Sequence, residues 1–264
     1  MEGDAGIAVT DVTPFYGESG GQVGDTGAIM GPDGILDVND TQKLPNGVFL
    51  HYFTCKRGLV ERSTSVTMLV DENRRMDIRR NHSATHLLHH ALREVLGEHV
   101  HQAGSYVAPD QLRFDFSHVA PVTDEELLQI QRIANSMVLS DYQTHTDITT
   151  KDEAVAHGAM ALFGEKYGEK VRMVTMGDSV ELCGGTHCDS TGQIGFIRIT
   201  NESGIGSGLR RIEAVTGMHS YNWMMEKAEM LFRLSKEIKV PWGDLLDKVL
   251  SLQREARNKD KRCV

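Results

Sequence analysis

The stretch Met76–Gly97, MDIRRNHSATHLLHHALREVLG, carries the pattern on which the rest of the chain is organised. Met76 to Leu96 contains neither glycine nor proline, and Gly97 stands where a helix C-cap would fall. Asn81 interrupts the run and suits the N-cap of a helix that starts at His82. At about 3.6 residues per turn, His82, His86, His89 and His90 gather on one side, with Ala84, Leu87, Leu88, Ala91 and Val95 roughly opposite. Such a helix buries its leucines one way and presents imidazoles the other. His82 and His86 lie one turn apart, close enough to share a metal ion. Alone, an H-x-x-x-H pair also suits ordinary core or surface histidines.

A second half appears at Leu182–Cys188, LCGGTHC. Cys183 and His187 offer a thiolate and an imidazole on a glycine-rich turn, the ligand types zinc prefers. With His82 and His86 they make a tetrahedral set. Cys188 is the substitute ligand, or else a small buried hydrophobe. Zinc peptidases of the helical-motif type carry glutamate beside the first histidine as general base. Here that position is Ser83, and residues 83–85 hold no carboxylate, so a peptidase would lack its base. An activated ester asks less, because it is already open to attack by water. Zinc would lower the pKa of a bound water towards about 7 or polarise the ester carbonyl. Four protein ligands nevertheless describe a closed site, whereas metal-bound water needs an open position. Both arrangements stay open on the sequence.

Outward from this centre, residues 1 to about 70 read as β structure: GIAVTDV, VFLHYFT and TSVTMLV are short, β-branched and separated by turn residues. Gly17–Gly34 is rich in glycine, which suits tight turns or the close approach of a ligand to backbone. Downstream, a helix is expected over Asp124–Leu139 with Thr123 as N-cap, and a third over Asp152–Ala161. KVRMVTMG, GQIGFIRIT and GLRRIEAVTG are strand-like, so the middle of the chain is of the α+β class. Beyond Gly217, Tyr221, Met224, Ala228, Leu231 and Ile238 form an apolar stripe, Pro241 interrupts, and a further helix runs from Gly243 towards Lys261.

The 264 residues are 40% hydrophobic and 25% charged, the balance of a globular chain with a sizeable core. No apolar run approaches the roughly 20 residues of a membrane span. MEGDAG is not a secretory leader, and the four cysteines are too scattered for a disulfide scaffold, so a cytoplasmic location is expected. A net charge of −9 argues against wholesale wrapping of nucleic acid, though not against gripping one end of a strand. The densest basic spots before the C-terminal tail are Arg74, Arg75, Arg79 and Arg80, and the pair Arg210–Arg211. Any one of them also suits an ordinary surface ion pair.

RRNHSATHLLHHALREVLGEHVHQAGSYV, LCGGTHC, GSGLRRIEAVTG and, upstream, YGESGGQVGDTG resemble the editing region of alanyl-tRNA synthetases and their free-standing relatives. The resemblance runs in order over roughly residues 7 to 217. It implies a translation-factor-like β-barrel (1–71), a zinc-binding α/β editing domain shared with threonyl-tRNA synthetases (72–217) and a C-terminal helical hairpin or arm (218–264). It also implies one Zn2+ on His82, His86, Cys183 and His187, and Gln102 as a catalytic-pocket residue. Gly20, Gly21, Gln22, Asp25, Arg210 and Arg211 match positions near the tRNA 3′ end. The glycine-rich motif and the CGGTH spelling favour the alanine system over the threonine one.

The activity so implied is hydrolysis of alanine tRNA mischarged with serine or glycine. An alanine pocket cannot readily exclude either, so a second hydrolytic site is needed. The implied partners are that tRNA and, through the C-terminal helices, a second copy of the chain; no membrane is implied. The aminoacylation domain of the family is not in this sequence, and the helical arm with its abrupt ending favours a piece of a longer synthetase over a free-standing editor. Two alternatives remain: a non-catalytic tRNA-binding module with a structural zinc, and a zinc hydrolase acting on another ester or amide.

Overall fold

In the computed structural model, which describes residues 2–160 and 168–260, the chain divides into two units, Met1–His219 and Ser220–Val264. The first unit opens with five antiparallel strands: β1 (Ala5–Ala8), β2 (Gly27–Met30), β3 (Gly34–Lys43), β4 (Phe49–Gly58) and β5 (Thr67–Val70). They lie in the order β1-β4-β3-β2-β5. Alternation sets the register: Leu36 and Val38 of β3 turn inward to meet Phe15, Ile29 and Cys55, while Asp37 turns out. The long glycine-rich connection between β1 and β2 is bonded to β3 through Glu18 N and Thr41 O at 2.9 Å before it reaches onward to Val107.

The helix α1 (Glu72–Leu96) is one continuous element of 25 residues. Its N-cap is Asp71, whose carboxylate accepts from Arg74 N, and Gly97 (φ +113) ends it. The start expected at Asn81 is therefore corrected by ten residues. Asn81 is fully buried within the helix, donating to the carbonyls of Ala108 and Pro109 at 2.7 and 3.1 Å and accepting from Thr216 Oγ1 at 2.7 Å. Tertiary partners satisfy the amide that local propensity would place at a cap.

The strands β6 (Gln102–Val107), β7 (Leu112–Ser117), β11 (Arg198–Gly206) and β12 (Leu209–Val215) form an antiparallel sheet in the order β11-β12-β7-β6. In β7, Leu112, Phe114 and Phe116 point inward and Arg113 and Asp115 outward. The inward set packs with Ala84, Leu87, Leu88, Ala91 and Leu92 of α1 and with Ile130 and Ala134 of α2 (Asp124–Leu139). Burying each such leucine stabilises the fold by about 1.5–3 kcal/mol. The helix α2 starts as expected, with a Thr123–Glu126 capping box.

A third sheet, β10-β9-β8, joins β8 (Thr144–Thr150), β9 (Lys170–Met176) and β10 (Ser179–Leu182). Between β8 and β9, α3 (Lys151–Ala156) is shorter than the helix expected to Ala161, which lies outside the described residues; Gly158 with φ +85 follows it. In GQIGFIRIT only Arg198 onward is strand, and Thr191–Ile194 forms a 3-10 turn.

The second unit contains most of α4 (Gly217–Ile238) and all of α5 (Leu245–Asp260), joined through Lys239, in a positive-φ turn, and Pro241. The last helix thus starts two residues later than expected, after a 3-10 turn at Trp242–Asp244, and its expected end at Lys261 lies outside the described residues, as does Cys263. Among the described residues no helix is long and apolar enough to cross a membrane.

Candidate metal centre

His82, His86, Cys183 and His187 converge, with one potential ligand atom from each lying within 4.8 Å of all the others. The first two come from the middle of α1; the other two come from the loop after β10. The Sγ of Cys183 stands 3.3 Å from Nε2 of His82 and 3.3 Å from Nε2 of His187. The three imidazole centroids are 4.4 to 5.6 Å apart. All three rings are buried, and burial pushes the pKa of His82 and His187 well below the ordinary histidine value, with neighbouring imidazoles adding to it. His86 is also lowered by burial, though Glu181 opposes the shift. Neutral imidazoles crowded round one thiol are what a metal site needs, since ligands bind deprotonated. The donor set fits a single ion, and its three nitrogens and one sulfur are compatible with zinc.

Two of the imidazoles are hydrogen-bonded from behind, and the third faces a carboxylate. His82 Nδ1 meets Gln22 Oε1 at 2.7 Å, His86 Nδ1 stands 3.3 Å from Glu181 Oε2, and His187 Nδ1 lies 3.4 Å from Ser83 Oγ. Glu181 also accepts from His89 Nδ1 at 2.9 Å. Burial raises the Glu181 pKa, but His86 and His89 outweigh it and hold the carboxyl below its ordinary value. His89 thus belongs to the site at one remove, whereas His90 pairs with Glu94 at 3.6 Å. The imidazole side of α1 is accordingly as buried as its leucine side around His82–His89.

The cysteine loop is fixed by cations. Arg172 donates to the carbonyls of Cys183 and Gly185 at 3.0 and 2.7 Å, and Arg79 reaches the His187 carbonyl and Asp189. Cys188 stays outside the cluster; burial lifts its thiol to about 11, so it is a protonated core side chain. Glu181 and Arg172 carried no spacing signal in the sequence, and neither did the roles of Gln22 and Ser83 here, whose partners His82 and His187 lie 60 and 104 residues away.

Over the cluster lies a cleft of about 110 Å³, bordered by Gly20, Thr85, His86, Gln102, Ser105 and Glu181 among others. A cavity of about 150 Å³ takes a benzene, so the space suits a small group. Gln102 Nε2 donates to Ser105 Oγ at 3.1 Å on its wall.

Two family models match the chain: the threonyl and alanyl tRNA synthetase second additional domain over residues 171–213, and the class II (A) tRNA synthetases over residues 1–74. The alanine–tRNA ligase of Chelativorans sp. (strain BNC1) is 49% identical over 271 residues, covering 98% of this chain. Those of Rhizobium johnstonii and Sinorhizobium medicae are each 48% identical, over 99% and 100% of the chain. The chain corresponds to a region of the alanine–tRNA ligases. It spans about a third of the length of these relatives, 31% in each case.

The remaining positions singled out in this alanine–tRNA ligase region separate in space. Gly20 borders the cleft. Gly21 (φ +82) packs so tightly on β6 that a Cβ would fall 2.3 Å from Ser105 O. Gln22 and Asp25 are interior, 0% and 1% exposed; Asp25 is paired with Arg75. Arg210 and Arg211 lie on β12, each in a two-pronged pair, with Glu202 at 2.6 and 2.7 Å and with Asp115 at 2.7 and 2.8 Å. The basic run on α1 is likewise engaged: Arg74 donates to Gly24 O at 2.8 Å, and Arg80 bonds Asp77 and Gln193 O at 2.6 and 3.0 Å.

Proposed function

We propose that the chain is the editing part of an alanine–tRNA ligase, hydrolysing the ester of alanine tRNA mischarged with serine or glycine, with one zinc ion on His82, His86, Cys183 and His187. The observation that carries this reading is a buried cluster of three imidazoles and a thiol at the base of a cleft sized for an aminoacyl group. When bound, zinc supplies Lewis acidity for the ester carbonyl. The chain's own residues orient and select. Gln22 and Ser83 hydrogen-bond the outer nitrogens of His82 and His187, and the Glu181 carboxylate faces Nδ1 of His86. Gln102 and Ser105 bring an amide and a hydroxyl to the cleft wall, polar partners available to a serine hydroxyl and of no use to an alanine methyl.

The tRNA 3′ end approaches over Gly20 on the rim of the cleft, with Gly21 letting the loop lie close against β6, and Arg210 and Arg211, held by Glu202 and Asp115, are cations of the kind that suits its phosphates. Gln22 and Asp25 support that rim from beneath. The separate side-chain cores of the N-terminal sheet and of the α1 region support reading 1–71 as a small barrel and 72–217 as the editing domain. Residues 218–264 are the helical arm, whose exposed Met225, Met230, Phe232 and Leu250 support pairing with a second copy. The setting is cytoplasmic.

The fourfold ligand set also favours a second reading, a tRNA-binding module with a closed structural zinc. Deacylation separates the two. The editing reading expects loss of serine and glycine from alanine tRNA with alanine retained; a zinc-loaded, folded chain that binds this tRNA and cleaves none of the three esters would establish the binding module instead.

A further inference from the structure

Within the glycine-rich stretch Tyr16–Gly27 one long polar side chain turns away from solvent. Gln22 is 0% exposed, although it belongs to a loop on the rim of the cleft. The loop is stitched to β6: Val107 N donates to Gly21 O at 2.8 Å, and Val23 N donates to Val107 O at 3.1 Å. Between these two bonds the chain has no freedom to swing, so the Gln22 side chain is delivered to one place.

That place is the back of His82. The backbone N–H of Thr186 lies 2.9 Å from the Gln22 oxygen, and the Gln22 nitrogen donates to Thr186 Oγ1 at 3.0 Å. A backbone N–H can only donate, so the amide atom facing it is the carbonyl oxygen Oε1. The same Oε1 stands 2.7 Å from His82 Nδ1. Nδ1 therefore carries the imidazole proton, and Nε2, 3.3 Å from Cys183 Sγ, carries the lone pair towards the cluster. Gly185 closes the arrangement from the other side, since a Cβ there would fall 2.9 Å from Gln22 Oε1.

We propose that Gln22 is a positioning residue of the metal centre: it selects the His82 tautomer that can ligate and thereby makes metal affinity depend on the N-terminal glycine-rich loop. This rests on the reading of His82, His86, Cys183 and His187 as a metal site. A carboxamide suits the task because one group accepts from His82 and Thr186 N while donating to Thr186 Oγ1. Loss of such an outer partner lowers metal affinity by roughly 10–100-fold.

The test is Co2+ and Zn2+ binding to the full chain by chelator competition, with the thiolate-to-cobalt absorption band as a second readout. Cys183→Ala, which must lose that band, checks the site itself. Gln22→Met, of similar length, is expected to weaken binding by roughly 10–100-fold and to alter the cobalt spectrum. Gln22→Glu retains an acceptor for Nδ1 and is expected to restore binding to within a few-fold of wild type. Should Gln22→Met not fold, Gln22→Asn serves, being polar but too short to reach His82, and should weaken binding likewise. Wild-type affinity and spectrum in a folded Gln22→Met or Gln22→Asn would overturn the proposal while leaving the metal site standing. A Gln22→Glu variant as weak as Gln22→Met would overturn it too, showing that the acceptor is not what matters. A wild type that binds neither ion would overturn the metal reading itself.

Discussion

Gly185 lies against the edge of His82 so closely that a Cβ built on it would fall 2.0 Å from the imidazole Cε1. No ring rotation relieves that clash without breaking the contact of His82 with Gln22 or with Cys183. Gly185→Ala is therefore expected to lower metal affinity by more than 10-fold in a chain with unchanged circular dichroism. Gly184→Ala, whose Cβ meets nothing within 4 Å, should bind metal as the wild type does. Equal affinities for the two variants would contradict the packing described.

Glu181 presents one carboxylate oxygen to His86 and the other to His89. In Glu181→Gln one oxygen becomes an NH2 group, so one imidazole N–H faces a donor. The expected result is a drop in metal affinity of roughly 10–100-fold. Titration against a chelator checks it; an unchanged constant would mean that His86 needs no outer partner.

Asn81 closes three hydrogen bonds inside the fold. Asn81→Ala strands the Ala108 and Pro109 carbonyls and the Thr216 hydroxyl, and each buried orphan costs about 1–3 kcal/mol. Urea unfolding should show at least about 2 kcal/mol of destabilisation, and a loss below about 0.5 kcal/mol would count against those bonds. Asp71→Ala, at the true N-cap, should cost only about 1 kcal/mol.

Burial, then the charge of neighbouring imidazoles, depresses the pKa of His82 and His187 below the ordinary value of 6.5. In metal-free protein the unfolded chain then binds more protons than the folded one below that pH. Stability is thus fully present above about pH 6.5 and falls as the pH drops towards the depressed values. The urea midpoint of the chelated chain should be lower at pH 5.5 than at pH 7.5. Added metal should widen the difference, since protons compete for the same nitrogens; a flat profile would mean that these imidazoles are not desolvated.

The metal-ligand pattern was legible because its members come in two local pairs, His82 with His86 and Cys183 with His187, whose spacing survives in one dimension. The Thr123 cap was legible for the same reason. Asn81 misled because an asparagine before an apolar run usually caps, and its real partners lie 27, 28 and 135 residues away. Gln22 and Glu181 were hidden by distance too, their histidine partners lying 60 and 92 residues off. The arginines read as basic patches are engaged by carbonyls and carboxylates, a pairing that composition does not reveal. Strands β6 and β7 were missed because HVHQAGSYV and LRFDFS are short and mix polar with apolar residues; their alternation has meaning only once α1 covers one face.

The central claim is that this cluster hydrolyses a mischarged ester. Its most direct test is single-turnover deacylation of Ser-tRNA and Ala-tRNA for alanine by the zinc-loaded chain and by Cys183→Ala. Rapid loss of serine, little loss of alanine and abolition by the substitution are predicted. Equal serine release by wild type and by a metal-free Cys183→Ala chain, or none by a folded and zinc-loaded wild type that binds the tRNA, would contradict it.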